Sequence, residues 1–518
     1  MTSFAAAGTG PRFRYPPLRL AVAGAVAALV LVPLGYVVAA AVATGPAATR
    51  DLLWRPRVGE LLTNTVVLVV LGTVACAVLG VGAAWLVERT DLPGRPLWTG
   101  LMAAPLAVPA FVSGVSWTSL SPGFAGLGAA VTVTSLSYFP LVYLPVSAVL
   151  RGIDPADEEA ARALGCGPWA AFTRVVLPQV RPALAGGCLL VGLHLLAEFG
   201  ALQALRFDTF TTAVYDRFQS SFDGTAATML ALVLVALCLV LLGVEPLAAG
   251  PARTARVGRG SARPPLRHPL GGARVLAAAA LLAVAAGSVG VPLWGIGSWF
   301  ATSNSTAFPA DELAAAAVST LGLGVLGAVV TTALAFPVAW LVVRRPGPLA
   351  RVVERCSYVG SSLPGVVVAL ALVTVAIRAV PAVYQTVVTL VAAYAILFLP
   401  RAVVSLRAAL GQLPPAFEDV GASLGASPRG VAMRVTLPLV VRGLGAGTAL
   451  VFLAVVTELT STLLLAPTGT ATLATRFWSE STEIHYGAAA PYALLMILLS
   501  APAAWLLTRR ARAAGALA

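Results

Sequence analysis

The chain has 518 residues, 58% of them hydrophobic and 11% charged, with a mean hydropathy of +0.90. Soluble domains carry roughly 25% charged residues, so this composition excludes an ordinary soluble domain and indicates an all-α chain that crosses a bilayer many times. The net charge of +13 would suit a nucleic-acid binder, but all 34 basic residues are arginine and they cluster between apolar runs. That is the pattern of the positive-inside rule, not of a nucleic-acid face.

The complete lack of lysine excludes more chemistry. A phosphate-binding P-loop needs its Gly-Lys-Ser/Thr lysine and Schiff-base catalysis needs a lysine amine, so any ATP hydrolysis must come from a partner chain. Three scattered histidines, with no paired carboxylates and no nucleophile-base set, give no sign of an enzyme. The five cysteines (Cys76, Cys166, Cys188, Cys238, Cys356) show no metal-binding or disulfide spacing and read as small apolar residues. No catalytic residue, cofactor or metal site is expected.

In chain order, apolar stretches long enough to cross the hydrocarbon core lie near residues 20–43, 61–87, 97–120, 126–150, 183–205 and 226–248. A second set follows near 275–296, 313–343, 356–380, 383–410, 440–465 and 487–508. This predicts about 12 transmembrane helices, six plus six. The first run has flanking arginines and an Ala41-Val42-Ala43 reminiscent of a signal-peptide cleavage site. Its length, and the matching first run of the second half, favour a retained span. With the N-terminus inside, the inner segments hold 27 arginines and the outer ones seven, so both termini are expected in the cytoplasm.

The two sets are copies of one unit. Asn64-Thr65, Gly72, Trp85-Leu86-Val87, Arg89 and Pro109 recur 255 residues later as Ser319-Thr320, Gly327, Trp340-Leu341-Val342, Arg344 and Pro364. Gly165, Leu177-Pro178 and Glu198 recur 260 residues later as Gly425, Leu437-Pro438 and Glu458. The expected organisation is a first unit over 1–250, a Pro/Gly/Arg-rich irregular linker over 251–274, and a second unit over 275–518. An even number of spans per unit makes the repeats parallel, with a transport path at their shared interface.

Between the fourth and fifth runs of each unit lies a polar interruption. The first reads DEEAARALGCGPWAAFTRVVLP from Asp157 to Pro178, the second EDVGASLGASPRGVAMRVTLP from Glu418 to Pro438. Asp154-Pro155 supplies a helix cap and a first-turn proline, and Asp157, Glu158 and Glu159 complement the helix dipole. Gly165 is placed to stop that helix in a left-handed cap, and Pro168, like Ser427-Pro428, starts a second short helix. The spacing therefore predicts a pair of short helices in each half.

Glu159-Ala160-Ala161, then Gly165, Val175 and Leu177-Pro178 at their intervals, resemble the EAA loop of bacterial ABC-importer permeases. The second copy keeps the spacing through Asp419, Gly425, Val435 and Leu437-Pro438, but reads Asp419-Val420-Gly421 where the motif has Glu-Ala-Ala. The resemblance covers nearly the whole chain. It implies the type I ABC importer permease fold, with the loops at 154–178 and 414–438 as coupling helices docked on two cytoplasmic ABC ATPase subunits. The residues implied in coupling are Glu158, Glu159, Ala160, Ala161, Gly165, Leu177 and Pro178, with Glu418, Asp419, Gly421, Gly425, Leu437 and Pro438 in the second copy. The departure from Glu-Ala-Ala leaves open whether the two contacts are equally strong.

Glu198 and Glu458 fall in the fifth run of each half, roughly 25–30 Å beyond the Leu-Pro at 1.5 Å per residue. An acid inside a span is a functional hypothesis by default. With His194 one turn before Glu198, they read either as a polar lining of the substrate path or as a matched pair bonded to backbone where each span breaks near Gly200 or Pro467. The polar segment Leu205 to Gly224 pairs with Ala466 to Gly487, setting Thr211, Arg217 and Phe218 against Thr470, Arg476 and Phe477 at a shift of 259. Such loops suit docking of an extracytoplasmic substrate-binding protein. The wording around Glu198 and Glu458 resembles ferric-iron-type permeases, commonly two units fused in one chain, with the thiamine-importer permeases as the competing resemblance. A proton-driven secondary transporter is the other class, since Glu88 to Pro96 weakly resembles a loop of the major facilitator superfamily.

Overall fold

The computed structural model describes residues 17–153, 155–167, 170, 172–221, 223–249, 267–306, 308–360, 363–411, 413 and 416–516. Among them there are helices and no strand, with one isolated parallel bridge between Thr90 and His268. Each of the twelve predicted apolar runs carries a helix, but not twelve uniform rods. Among the described residues eight helices are long and apolar enough to cross a membrane, and two bent pairs reach that length and apolarity together: Arg95–Ala107 with Ala110–Leu120 at 90°, and Gly126–Tyr138 with Pro140–Gly152 at 40°. The remaining two runs hold the shorter apolar helices Gly365–Ala379 and Gly447–Val456.

Proline accounts for the breaks, because it lacks the N–H and its ring clashes with the preceding turn. Pro109 immediately precedes the helix Ala110–Leu120, and Pro364 caps Gly365–Ala379 in the same way. In the second half the run near 356–380 therefore becomes an amphipathic helix, Pro348–Val359, followed by a short buried one.

The first segment of each half packs on the other half. Pro17–Thr44 lies against Ala310–Arg344, Pro348–Val359 and Gly365–Ala379. Its Val30 approaches Gly360, where an added Cβ would stand 3.0 Å from the valine methyl and 2.3 Å from the carbonyl of Ile396. Val291–Thr302 lies against Ala110–Leu120, where Gly295 approaches Ser116 and the Trp299 indole donates to the Ser119 hydroxyl at 3.0 Å. In lipid, helices associate by close packing of small residues and by hydrogen bonds rather than by the hydrophobic effect. Within the first half Gly80 and Gly187 serve this purpose, both facing Val142, where a Cβ would come within 2.7 and 2.9 Å of it.

Candidate functional site

The second polar interruption folds as a pair of short helices, and the first shows the leading helix of its pair within the described residues. In the first, Pro155–Ala163 is helical and ends at Gly165 with φ +84°. Gly165 N–H bonds the Arg162 carbonyl at 2.9 Å and Cys166 N–H bonds the Ala161 carbonyl at 3.0 Å, the double bond of a left-handed C-cap. In the second, Ala416–Ser423 ends at Gly425 with φ +81°, and Ala426 N–H bonds the Gly421 carbonyl at 3.2 Å. Ser427 caps the next helix, Pro428–Val431, by accepting from Gly430 N–H at 3.2 Å. The residues Asp154 and Pro168 lie outside the described residues, as does the Leu437 side chain. A single π-helical turn, Phe172–Val176 and Ala432–Thr436, then leads into Leu177-Pro178 and Leu437-Pro438.

The consecutive acids divide their roles. Glu158 is buried and bonded to the buried Arg89 at the end of the second segment, with Arg162 3.0 Å away on its other oxygen. Glu418 repeats this with Arg344 at 3.1 Å, and also accepts from the Thr436 hydroxyl at 3.1 Å. Both pairs fasten their helix to the segment Pro56–Arg89 or Ala310–Arg344. The following acids, Glu159 and Asp419, are exposed, as are Ala160, Gly165, Leu177, Pro178, Gly425 and Pro438. Ala161 is half-buried, and its counterpart Gly421 is buried, where an added Cβ would stand 3.3 Å from Val431 and 3.4 Å from Val435. The sequence reading missed the two leucines that protrude furthest, Leu164 and Leu424, 86% and 82% exposed at matched positions.

The described end of the linker is held by hydrogen bonds to residues 89–91. His268 N–H bonds the Arg89 carbonyl at 2.8 Å, Asp91 N–H bonds the His268 carbonyl at 3.3 Å, and Asp91 accepts from Leu270 N–H and Arg274. The His268 ring stacks on Trp85 at 5.4 Å and sets Nε2 3.4 Å from Glu158. The Arg274 guanidinium pulls the Asp91 carboxyl down to about 2, and burial lowers His268 from its ordinary 6.5 despite the neighbouring Glu158. The stretch Glu88 to Pro96 has its own ion cluster: Glu88 is buried and takes Arg95 at 2.8 Å, Arg151 at 3.2 Å and the Ser147 hydroxyl at 2.6 Å.

Glu198 and Glu458 sit where the fifth segments break. Leu177–Ala197 ends at Glu198, whose carboxylate accepts from Ala201 N–H at 2.8 Å in the next short helix, Gly200–Ala204. Leu437–Val456 ends just before Glu458, which accepts from Ser461 N–H at 2.6 Å in Thr460–Leu465. These are the backbone bonds of one of the two readings, and the break follows Glu458 itself rather than Pro467. The two breaks meet at the seam between halves, with Gly200 facing Leu459. Glu198 also takes the Tyr138 hydroxyl, whose ring lies 5.3 Å from that of His194. His194 bonds across the seam to Arg401 at 3.2 Å. Arg401 stands inside the helix Val387–Gly411.

At the opposite end of the second segments, Thr209 and Thr212 form a capping box on Phe210–Gln219, and Thr472 and Thr475 form one on Leu473–Thr482. Phe210 N–H bonds the Thr65 hydroxyl at 3.2 Å and Leu473 N–H bonds that of Thr320 at 2.9 Å. The true register of the two polar segments is therefore 263, not 259: the caps fix it, and the second half holds three extra residues after Glu458. Arg57 pairs with Asp208, and Glu312, which stands at the position matching Arg57, pairs with Arg476 at 3.2 Å.

Residues 80–246 and 331–513 each match the family described as binding-protein-dependent transport system inner membrane component. The Fe(3+)-transport system permease protein FbpB 2 of Haemophilus influenzae is 37% identical over 92% of this chain and 95% of its own length. More distant relatives align with less of this chain: the sulfate transport system permease protein CysT of Escherichia coli, 32% identical over 41% of this chain and 84% of its own, and the molybdenum transport system permease protein ModB of the same organism, 28% over 32% and 81%. Two matches to the family within one helical chain, with the near full-length relative, establish that this protein is a fused double permease of the binding-protein-dependent transport system inner membrane component family.

Proposed function

We propose that this chain is the permease of an ATP-driven importer of ferric iron, organised as two units over 1–250 and 275–518 around one path. Two cytoplasmic ATPase subunits would dock on the helix pairs within 154–178 and 414–438, and an extracytoplasmic binding protein on the capped segments around Phe210–Gln219 and Leu473–Thr482. Both termini and the linker lie on the cytoplasmic side. The observation that carries the coupling assignment is the matched pair of arginine–glutamate anchors, Arg89–Glu158 and Arg344–Glu418. Each fixes a short helix to a span and leaves Glu159 or Asp419 and a protruding leucine free for a partner. Iron is favoured because the iron permease aligns through both halves, whereas the sulfate and molybdenum permeases align with 41% and 32% of this chain.

ATP binding draws the ATPase subunits together, and the rigid helix pairs transmit that motion to the halves, a two-state equilibrium biased by differential contact. His194, Glu198 and Glu458 border the path at the seam. The test is uptake of iron from its binding protein into vesicles holding the full complex. Glu159→Lys and Gly165→Pro should abolish coupled uptake while the complex still assembles; normal uptake by both would remove the coupling assignment. Uptake that persists without ATP would remove the importer class.

A further inference from the structure

The seam holds one charged group that the duplication does not explain. The acids at the breaks are paired by the repeat, Glu198 with Glu458, but at the same shift of 260 Arg401 corresponds to Leu141 and His194 to Ala454. A guanidinium inside a span is costly and is kept where it serves a pathway or a partner. Arg401 lies over the Phe398 ring at 5.1 Å and reaches from the second half to His194 of the first.

The partner it has is informative. His194 Nδ1 is 2.8 Å from the Leu190 carbonyl, which only accepts, so Nδ1 carries the proton and Nε2 accepts from Arg401. The guanidinium is thus held by a neutral ring, and the acid that acts on its charge is Glu458. Glu198 is engaged by Tyr138 and by Ala201 N–H, and Glu458 by Ser461 N–H. Two carboxylates beside a path concentrate cations there. A fixed positive charge between the halves opposes that effect, as cationic side chains do in pores that refuse protons and small cations.

We propose that Arg401, anchored across the seam by His194, is a charge barrier that closes the path to protons and small cations between transport cycles. The barrier rests on the reading of the seam as the path. Opening the halves separates the helix Val387–Gly411 from Leu177–Ala197 and carries Arg401 off His194, so the barrier lifts only when the cycle drives the halves apart.

The test needs neither cargo nor nucleotide. The full permease with its ATPase subunits is sealed into liposomes, an interior-negative potential is imposed with potassium and valinomycin, and proton and sodium entry are followed with trapped indicators. Arg401→Gln keeps a donor for His194 but loses the charge; it should raise cation entry by about ten-fold or more. Arg401→Lys keeps the charge and should stay within about two-fold of the wild type, and His194→Leu, which frees the guanidinium, should fall between. Entry through Arg401→Gln no faster than wild type, or Arg401→Lys leaking as fast as Arg401→Gln, overturns the barrier. Should Arg401→Gln not assemble, His194→Leu decides: a tight His194→Leu overturns it. A wrong cargo assignment leaves these leak rates unchanged and appears only in uptake.

Discussion

Two neighbouring acids, Glu158 and Glu159, differ in everything except identity. Glu158 is buried with Arg89, so removing its charge strands a buried cation, at a cost of about 3–5 kcal/mol for such a pair. Glu158→Ala should therefore lower the melting temperature of the purified permease by several degrees. Glu159→Gln, an exposed change worth less than about 0.5 kcal/mol, should leave melting unchanged and reduce transport-coupled ATP hydrolysis. Equal melting temperatures for the two variants would contradict this division. Gly165 and Gly425 make a second residue-scale case: no atom lies within 4 Å of an added Cβ at either, so space does not require glycine, but φ near +80° does. Gly165→Ala should cost about 1 kcal/mol, read as faster amide exchange over 155–166. The glycines were legible in the sequence because a left-handed cap has a residue signature. The acids were not separable there, since nothing in three consecutive carboxylates says which one Arg89 will meet.

At the scale of elements, the two helix pairs share a plan and differ in what braces them. The second is held by Arg344 and Thr436, the first by Arg89, Arg162 and the docked linker end. His268 faces Glu158 and Arg162 from the short helix and Arg89 and Trp85 from the second segment, with the Asp91–Arg274 pair beside it. Burial holds its folded-state pKa below 6.5, so the docked linker favours the neutral ring. The sign follows: docking is at full strength above about pH 6.5 and weakens as the pH falls through the lowered folded value. Asp91, held to about 2, stays ionised through that window and contributes no pH dependence there. Limited proteolysis of the linker should thus accelerate between pH 7.5 and pH 5.5, and His268→Ala should cleave fast at both. A wild-type rate independent of pH would show that the ring does not brace the linker. None of this was legible in a Pro/Gly/Arg-rich stretch, because the docking depends on backbone bonds between residues 89–91 and 268–270 that composition does not encode. The register of the two polar segments is a similar case: a local match at 259 gives way to the 263 set by two threonine capping boxes.

For the whole molecule, the sequence showed two copies and an interface but not how they are joined, since apolar runs do not reveal which half a helix packs on. The first segments reach across, Pro17–Thr44 packing on the second half as well as on Gly224–Ala249, and Val291–Thr302 on the first half as well as on Tyr486–Ala516. The halves therefore hold each other partly by these first segments, at glycine-mediated contacts. Chains 1–258 and 259–518, expressed together, should copurify as a stable pair through a tag on either one. Gly295→Leu should separate them, because a Cβ at that position already comes within 2.9 Å of Ser116 and a larger side chain forces the helices apart. Gly297→Leu is the matched control, with nothing within 4 Å of its Cβ. If the split halves fail to associate even with Gly295 intact, the linker and not these contacts joins the molecule. If the control separates the halves as Gly295→Leu does, close packing at Ser116 is not what keeps them together.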